Sequence, residues 1–297
     1  MKKIVGINGF GRFGLHLLKY WMDRNNNSLF SIKYINDDSL NIDQIYEIIT
    51  KDKYVNFNKY KIQKENNTLI FLEPDGKKHE IIFTKEVHNA ISWRGEPEFF
   101  LECSGKNTLV ENCEDFLIDN TRLVLISATS WDADSTLVYG FNHKKYDGSK
   151  RIISYGSCTV NAFVPFANWI EKNFGIIDSD VNVIHNIQEY RLSDNNTLNR
   201  KFCTLEKSAV NLLESINNNN FLVNYTVIPY TGVSMIDFRF RVKTKLTHKD
   251  FINALSDSVN NGDLKDLYGL DEKDIGPEVY NCTTFSTVFI TENIKVI

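Results

Sequence analysis

The stretch that decides the fold is Ile7-Asn8-Gly9-Phe10-Gly11-Arg12-Phe13-Gly14. It follows a short apolar strand at Lys2 to Ile7, and it opens a segment with helical apolar spacing at Leu15, Leu18 and Trp21. Glycines in the pattern G-x-G-x-x-G allow a sharp turn between strand and helix and a close approach of the backbone to a ligand. The pattern in this context predicts that the turn binds a dinucleotide, with the pyrophosphate at the helix N-terminus.

A carboxylate follows the second predicted strand. This strand covers Phe30 to Ile35, and Asp37 lies about twenty residues beyond Gly14. An acidic residue at such a place hydrogen-bonds the adenosine ribose, so the sequence favours NAD over a cofactor with a 2′-phosphate. The alternative is an ordinary glycine-rich turn followed by an exposed aspartate.

The fold class follows from the order of the predicted elements. Strands and helices alternate in the first half, which is typical of a parallel sheet with crossover helices, and a helix is predicted near Thr108 to Phe116. Val233 to Lys243 alternates apolar and polar residues, and a last strand is predicted at Ile294 to Ile297. We therefore predict an α/β protein with a doubly wound Rossmann-type domain at 1–157 and an α+β catalytic domain with a mainly antiparallel sheet at 158–297.

Composition excludes several classes of function. The chain has 297 residues and a net charge of −4, which argues against a surface for nucleic acid or anionic membranes. No apolar run is long enough for a secretory leader or a membrane span, so the expected location is the cytoplasm. The five cysteines form no CxxC pair and no Cys/His metal spacing, which favours reduced thiols and no metal.

A second motif, Ser154-Tyr155-Gly156-Ser157-Cys158-Thr159-Val160-Asn161, places a cysteine between a predicted strand and a predicted helix. A helix N-terminus stabilises the thiolate of such a residue. His185 lies on the apolar face of the next predicted strand. A histidine in such a place is more often a core residue than a catalyst. However, a helix that returns antiparallel to that strand would bring His185 near the thiol, where it could act as a general base. Asn161 either holds this geometry by a hydrogen bond or is only a polar residue of the first turn.

These motifs together resemble the phosphorylating glyceraldehyde-3-phosphate dehydrogenases. The likeness covers most of the chain and includes Ile35-Asn36-Asp37, Trp93-Arg94-Gly95, Glu102-Cys103-Ser104-Gly105 and Ile126-Ser127-Ala128. It implies that Cys158 attacks an aldehyde to form a thiohemiacetal and that His185 accepts the hydroxyl proton as hydride passes to NAD. It also implies cofactor contacts from Asn8, Gly9, Gly11, Arg12, Phe13, Gly14, Asp37, Ser104, Gly105 and Ser127.

The chain departs from the family pattern where the substrate phosphate would bind. Gln188 and Tyr190 stand at the places of two phosphate-binding threonines, and Val227 or a neighbour stands at the place of an arginine. The loop after His185 is shorter than the family's, and we expect the family's C-terminal segment with its closing helix to be missing, since the sequence ends at Ile297. The candidate substrate or phosphate contacts are Ser157, Thr159, Gln188, Tyr190 and Arg191.

The sequence thus predicts an NAD-dependent aldehyde oxidoreductase that works through a thioester on Cys158. Its substrate is expected to be a small-molecule aldehyde that differs from glyceraldehyde 3-phosphate, since the phosphate contacts have changed. The alternative is a catalytically degenerate homologue that binds NAD and has a binding or regulatory role. By resemblance, the protein is expected to be a homo-oligomer, either a tetramer or a dimer.

Overall fold

The computed structural model describes residues 2–24, 27–187, 201–229 and 232–297, which fall into two compact units. Unit 1 consists of Met1–Leu137 and Tyr146–Gly156, and unit 2 consists of Val138–Lys145 and Ser157–Ile297. The backbone therefore passes between the units after Leu137, after Lys145 and after Gly156. The short excursion at Val138–Lys145 gives unit 2 a segment that the sequence analysis assigned to the first domain.

The described part of unit 1 is built on a sheet of nine strands and two α-helices. The strand order is β3-β4-β5-β2-β1-β6-β7-β9-β8, and β1 pairs in parallel with both of its neighbours. These elements are β1 (Lys3–Asn8), α1 (Arg12–Arg24), β2 (Phe30–Asn36), α2 (Ile42–Lys51), β3 (Lys61–Glu65), β4 (Thr68–Leu72), β5 (Lys78–Thr84), β6 (Phe99–Glu102), β7 (Leu123–Ile126), β8 (Ser135–Thr136) and β9 (Ile152–Ser154).

The buried face of α1 explains how the first helix is held against the sheet after the first strand and the turn. Leu15, Leu18 and Met22 are buried at helical spacing, so one stripe of the helix packs on the sheet. Trp21 lies on the same stripe and its indole Nε1 donates to the carbonyl oxygen of Phe30, 3.0 Å away. This packing leaves the start of α1 at the carboxyl end of β1, where parallel α/β sheets bind ligands.

Unit 2 holds a mixed three-stranded sheet, a parallel two-stranded sheet and three helices among its described residues. Phe163 and Phe166 of the first helix are buried against the sheet, and the ring of Phe163 lies 5.6 Å from that of Phe240. The elements are α3 (Cys158–Phe174), β10 (Ile176–Ile187), α4 (Thr204–Leu212), β11 (Phe221–Pro229), β12 (Met235–Val242), α5 (His248–Asn260), β13 (Tyr268–Asp271) and β14 (Thr287–Ile290).

The predicted fold class is confirmed, because the protein contains a large parallel Rossmann-like sheet and a separate region with a mixed sheet. The pairing within the second region differs from the mainly antiparallel arrangement that the sequence predicts. β12 runs antiparallel to β10, but β11 runs parallel to it. The connection between β10 and β11 contains α4, and a crossover with a helix returns the chain to the same end of the sheet.

Two predicted elements are wrong. The helix near Thr108 to Phe116 is replaced by two short 3₁₀ turns, Val110–Asn112 and Glu114–Phe116. Cys113 and Phe116 are buried three residues apart, a spacing that aligns side chains in a 3₁₀ turn. The strand predicted at Ile294 to Ile297 has no partner strand among the described residues, and Ile297 is exposed.

None of the helices in the described ranges combines the length and the apolar character that crossing a membrane requires.

Candidate active site

The glycine turn of unit 1 can be formed only by residues without a side chain at two of its positions. Gly9 has φ +95°, and a Cβ there would lie 2.4 Å from the backbone nitrogen of Ser104. A Cβ on Gly14 would lie 2.4 Å from the carbonyl oxygen of Gly9. The first helical hydrogen bond runs from Leu15 N–H to the Gly11 carbonyl at 3.0 Å, so the preceding N–H groups of α1 have no partner within the helix.

A buried carboxylate fixes the loops on both sides of this turn. Glu102 ends β6 and is 1% exposed, and its Oε2 accepts from Nδ2 of Asn8 at 2.7 Å and from Nδ2 of Asn107 at 3.1 Å. Its Oε1 accepts from the backbone N–H of Ser104 at 2.8 Å and from the Ser104 hydroxyl. Asn36 at the end of β2 donates to Oδ1 of Asn8 at 2.9 Å. One network therefore joins the carboxyl ends of β2, β1 and β6.

Asp37 organises the same turn through backbone N–H groups. Its Oδ2 accepts from Phe10 N–H at 2.8 Å, and its Oδ1 accepts from the N–H groups of Ser39 at 2.9 Å and Leu40 at 3.0 Å. The side chain is buried, but a carboxylate oxygen accepts two hydrogen bonds, so Oδ2 retains capacity for one further donor. The residue thus supports the turn whether or not a ribose is bound.

The first helical turn of α1 carries two long side chains with different surroundings. The guanidinium of Arg12 forms an ion pair with Asp52. One of its nitrogens also lies 3.4 Å from Nε2 of His16. Burial and the charge of Arg12 lower the pKa of His16. Phe13 is 43% exposed, with its ring centroid 5.6 Å from that of Tyr155. Arg12 is therefore already engaged with a carboxylate, whereas the ring of Phe13 is open to a ligand.

The remaining predicted cofactor contacts follow β6 and β7. Gly105 has φ +70°, and the position of its missing Cβ has no atom within 4 Å, so the backbone there faces open space. Ser127 N–H donates to the Glu102 carbonyl at 2.8 Å, and its side chain hydrogen-bonds Cys103. Burial raises the pKa of the Cys103 thiol, and this side chain is buried, whereas that of Cys158 is exposed.

In unit 2, Cys158 is the first residue of α3. Ser157 caps the helix, and its Oγ accepts from Val160 N–H at 3.3 Å. The Sγ atom of Cys158 lies 3.3 Å from Nε2 of His185 on β10. The Cys158 side chain is exposed to solvent. A thiol and an imidazole nitrogen are thus within direct hydrogen-bonding reach.

The tautomer of His185 follows from its other nitrogen. Nδ1 lies 2.7 Å from the carbonyl oxygen of Asn186, which can only accept, so Nδ1 carries a proton. Burial lowers the pKa of His185, while the Asn186 carbonyl opposes this. The imidazole is therefore neutral at pH 7, with the lone pair of Nε2 directed to the sulfur.

The thiol of Cys158 does not have the low pKa that the helix N-terminus alone predicts. Desolvation by the surrounding protein raises the pKa, and the backbone N–H groups of Thr159 and Cys158 oppose this. The side chain is nevertheless exposed, so reagents in solution reach the sulfur. The resting pair is a neutral thiol next to a neutral imidazole, and His185 is the group placed to take the proton.

Comparison with known proteins supports the resemblance seen in the sequence. A glyceraldehyde-3-phosphate dehydrogenase of Claviceps purpurea is 27% identical over 96% of this chain and 86% of that protein, and one of Bacillus cereus is 26% identical over 96% and 87%. One of Echinococcus multilocularis is 30% identical over 62% of this chain, which spans about half (53%) of that protein's length. No family model matches the chain.

The chain is a divergent, distant homologue of the glyceraldehyde-3-phosphate dehydrogenases. The resemblance that the sequence analysis stated is thereby confirmed. Identity of 26–27% extends over 96% of this chain in two of these relatives, so the aligned part includes residues of both units.

The predicted substrate contacts of this chain have surroundings that differ from one residue to the next. Thr159 is 2% exposed, and its Oγ1 lies 3.7 Å from Sγ of Cys203, so its hydroxyl points into the protein. The Oγ of Ser157 lies 3.0 Å from Oγ1 of Thr159 and accepts from Thr204 at 2.9 Å. Gln188, Tyr190 and Arg191 lie outside the described residues.

Two residues of β11 complete the surroundings of His185. Val227 pairs directly with His185 in the parallel register, so its aliphatic side chain lies next to the imidazole. The ring of Tyr225 lies 5.6 Å from the imidazole. Burial raises the pKa of Tyr225 to about 12, so its hydroxyl stays protonated.

Asn161 and Glu102 are two polar residues that hydrogen-bond the backbone next to the candidate site residues. Nδ2 of Asn161 donates to the Ser157 carbonyl at 2.9 Å, which ties the first turn of α3 together one turn from Cys158. Glu102 has no predicted role from the sequence, although a charged residue that ends the apolar run Phe99-Phe100-Leu101 is a signal of a buried polar network. In the described ranges, no group of three or more His, Cys, Asp or Glu side chains is arranged to hold a metal ion.

Proposed function

We propose that the protein is an NAD-dependent aldehyde dehydrogenase that works through a thioester on Cys158. The observation that carries this proposal is the 3.3 Å contact between Sγ of Cys158 and the unprotonated Nε2 of His185. An exposed thiol next to a neutral base is the arrangement needed for nucleophilic attack on a carbonyl. Distant homology to dehydrogenases that oxidise an aldehyde supports the same chemistry.

The first step uses only groups of this chain. Sγ bonds to the aldehyde carbon, His185 Nε2 accepts the thiol proton, and that proton then passes to the former carbonyl oxygen to give a thiohemiacetal. In the second step, His185 takes the hydroxyl proton while the carbon gives up hydride to the acceptor that bound NAD would supply, which leaves a thioester and an imidazolium ion. Water or another nucleophile then releases the acyl group as its acid or acyl derivative and restores the thiol.

The residues that would hold the cofactor lie in unit 1. The turn at Gly9 to Gly14 and the loops after β2 and β6 fit a dinucleotide, since a Cβ at Gly9 or Gly14 would fill the space that the backbone needs. The unpartnered N–H groups at the start of α1 suit its pyrophosphate. When bound, NAD supplies the hydride acceptor.

The preferred substrate is proposed to be an aldehyde without a phosphate group. Val227 lies next to His185 and offers no charge or hydrogen bond, and Thr159 directs its hydroxyl into the protein. A contact between a cation and a phosphate contributes about 1.5–3 kcal/mol, so the loss of one arginine contact disfavours a phosphorylated substrate over a neutral one.

The test is mass spectrometry of the intact protein after incubation with NAD and a panel of phosphorylated and neutral aldehydes. We expect an acyl adduct on Cys158 and NADH formation with at least one neutral aldehyde. Cys158→Ser should abolish both, whereas Cys282→Ser, at a partly buried thiol, should retain both. Unchanged NADH formation by Cys158→Ser would overturn the proposed mechanism.

A second candidate function is a degenerate homologue that binds NAD without turnover. The aliphatic Val227 next to His185 favours it, because the resemblance puts the family's arginine at Val227 or a neighbour, and its loss would remove a substrate contact while the cofactor turn is retained. NADH binding without any acyl adduct would support this candidate. A homo-oligomeric assembly, proposed from the family, is tested separately by light scattering of the purified protein.

A further inference from the structure

An exposed ion pair joins the two loops that flank the glycine turn. Nζ of Lys106 donates to Oδ2 of Asp38 at 2.6 Å, and the two side chains are 61% and 39% exposed. Asp38 lies just after β2 and Lys106 lies just after β6, and these strands are the two neighbours of β1 in the sheet. The pair therefore stands at the edge of the sheet where the turn presents its N–H groups.

Both charges are held in place by their own loops. The hydroxyl of Ser39 donates to Oδ1 of Asp38 at 2.7 Å, and the backbone N–H of Lys106 donates to Oγ of Ser104 at 3.0 Å. Ser104 in turn is fixed by the buried carboxylate of Glu102. Lys106 holds the pKa of Asp38 below its usual range. Asp38 is thus ionised at neutral pH, and its carboxylate forms the ion pair with the ammonium group of Lys106.

This edge is the place where Rossmann-type domains distinguish the ribose 2′-hydroxyl from a 2′-phosphate: a carboxylate after the second strand accepts from the hydroxyl, and a cation there accommodates the phosphate. Asp37 is buried and serves backbone N–H groups, whereas Asp38 and Lys106 are exposed. We propose that the Asp38–Lys106 ion pair sets the preference for NAD, because Asp38 repels a 2′-phosphate and prevents Lys106 from binding it.

The inference rests on the proposed dinucleotide binding and goes beyond it by assigning the selectivity to two residues. Removing the charge of Asp38 leaves Lys106 as an unpaired cation next to the ribose. The variant should therefore gain affinity for the cofactor with a 2′-phosphate, and the gain should depend on Lys106. Because surface charges are screened by salt, the gain should shrink at high ionic strength.

The experiment measures the dissociation constants of NADH and NADPH by fluorescence titration, with no turnover involved. The proteins are the wild type, Asp38→Asn, Lys106→Gln and the double variant. We expect the wild type to bind NADH more tightly than NADPH. Asp38→Asn should bind NADPH about tenfold more tightly than the wild type, as expected for one charged hydrogen bond to phosphate, with little change for NADH.

The double variant should return the NADPH affinity to near the wild-type value, since the cation is gone. Glu47→Gln is the matched control, because it removes one partner of an exposed ion pair on α2, with Lys51, away from these loops. No gain for NADPH in Asp38→Asn, or a gain that persists in the double variant, would overturn the inference alone. Failure of the wild type to bind either cofactor would overturn both the inference and the proposed function.

Discussion

The glycine turn and the Cys158–His185 pair differ in how they are held. The turn is fixed by a buried carboxylate, Glu102, that accepts four hydrogen bonds from Asn8, Ser104 and Asn107, and by two glycines whose replacement would bring atoms to 2.4 Å. Among the described residues, the polar contacts of His185 are one backbone hydrogen bond at Nδ1 and one contact with sulfur at Nε2. A region that is fixed by many mutual contacts tolerates few substitutions. A pair with few contacts tolerates substitution of its neighbours, such as the residue at Val227.

The largest expected effect tests whether the sparsely held pair performs the chemistry. His185→Gln removes the nitrogen that accepts the proton and leaves the fold intact, so kcat for the best aldehyde should fall by about a hundredfold or more. Steady-state NADH formation is the measurement. His248→Gln, on an exposed helix position of the same unit, should be unchanged. A decrease of less than threefold for His185→Gln would remove the base from the mechanism.

The pH dependence of alkylation tests the protonation state of the same pair. Because the pKa of Cys158 is raised, the thiol is protonated at neutral pH and the thiolate fraction increases as pH rises. The rate of reaction with iodoacetamide should therefore increase about tenfold per pH unit up to at least the ordinary thiol pKa of about 8.5. The measurement uses Cys282→Ser to remove the other accessible thiol. A rate that is constant from pH 6 upward would indicate a thiolate–imidazolium pair instead.

A third test compares Gly9 and Gly76, two glycines with similar positive φ angles. Gly9→Ala should lower the free energy of unfolding by about 3 kcal/mol or more, because left-handed strain adds to a backbone clash. Gly76→Ala, at φ +88° with nothing within 4 Å of the new Cβ, should lose only about 1 kcal/mol. Denaturant unfolding and NADH titration measure both. Equal losses of the free energy of unfolding would show that a Cβ at Gly9 fits without a backbone clash.

The smallest effect concerns the buried network. Glu102→Gln keeps the shape of the side chain but places an amide donor against the donors of Asn8 or Ser104, so the free energy of unfolding should fall by about 1–3 kcal/mol. Glu98→Gln, which removes an exposed ion pair with Lys3, should have a smaller effect. Thermal unfolding of the two variants is the comparison. A larger loss for Glu98→Gln would contradict the importance of the network.

Local sequence signals located much of this structure. The strand, turn and helix around Gly9, and the helix that begins at Cys158, are encoded by glycine positions and apolar spacing within about ten residues. The contacts of Glu102 were not predictable in this way, since Asn8 lies 94 residues away in the sequence. The parallel pairing of β10 with β11 was missed because alternation shows which face is buried but not which strand is adjacent.

The excursion of Val138–Lys145 into unit 2 has a consequence for dissecting the protein. Val138 is fully buried in the core of unit 2, and a Cβ on Gly140 would lie 2.2 Å from the side chain of Leu267, so this segment packs closely there. A fragment that starts at Cys158 would lack the segment and leave a gap in its core. Because the two units are interleaved along the chain, a continuous fragment that holds all of unit 2 must start at Val138, and it then also carries Tyr146–Gly156 of unit 1.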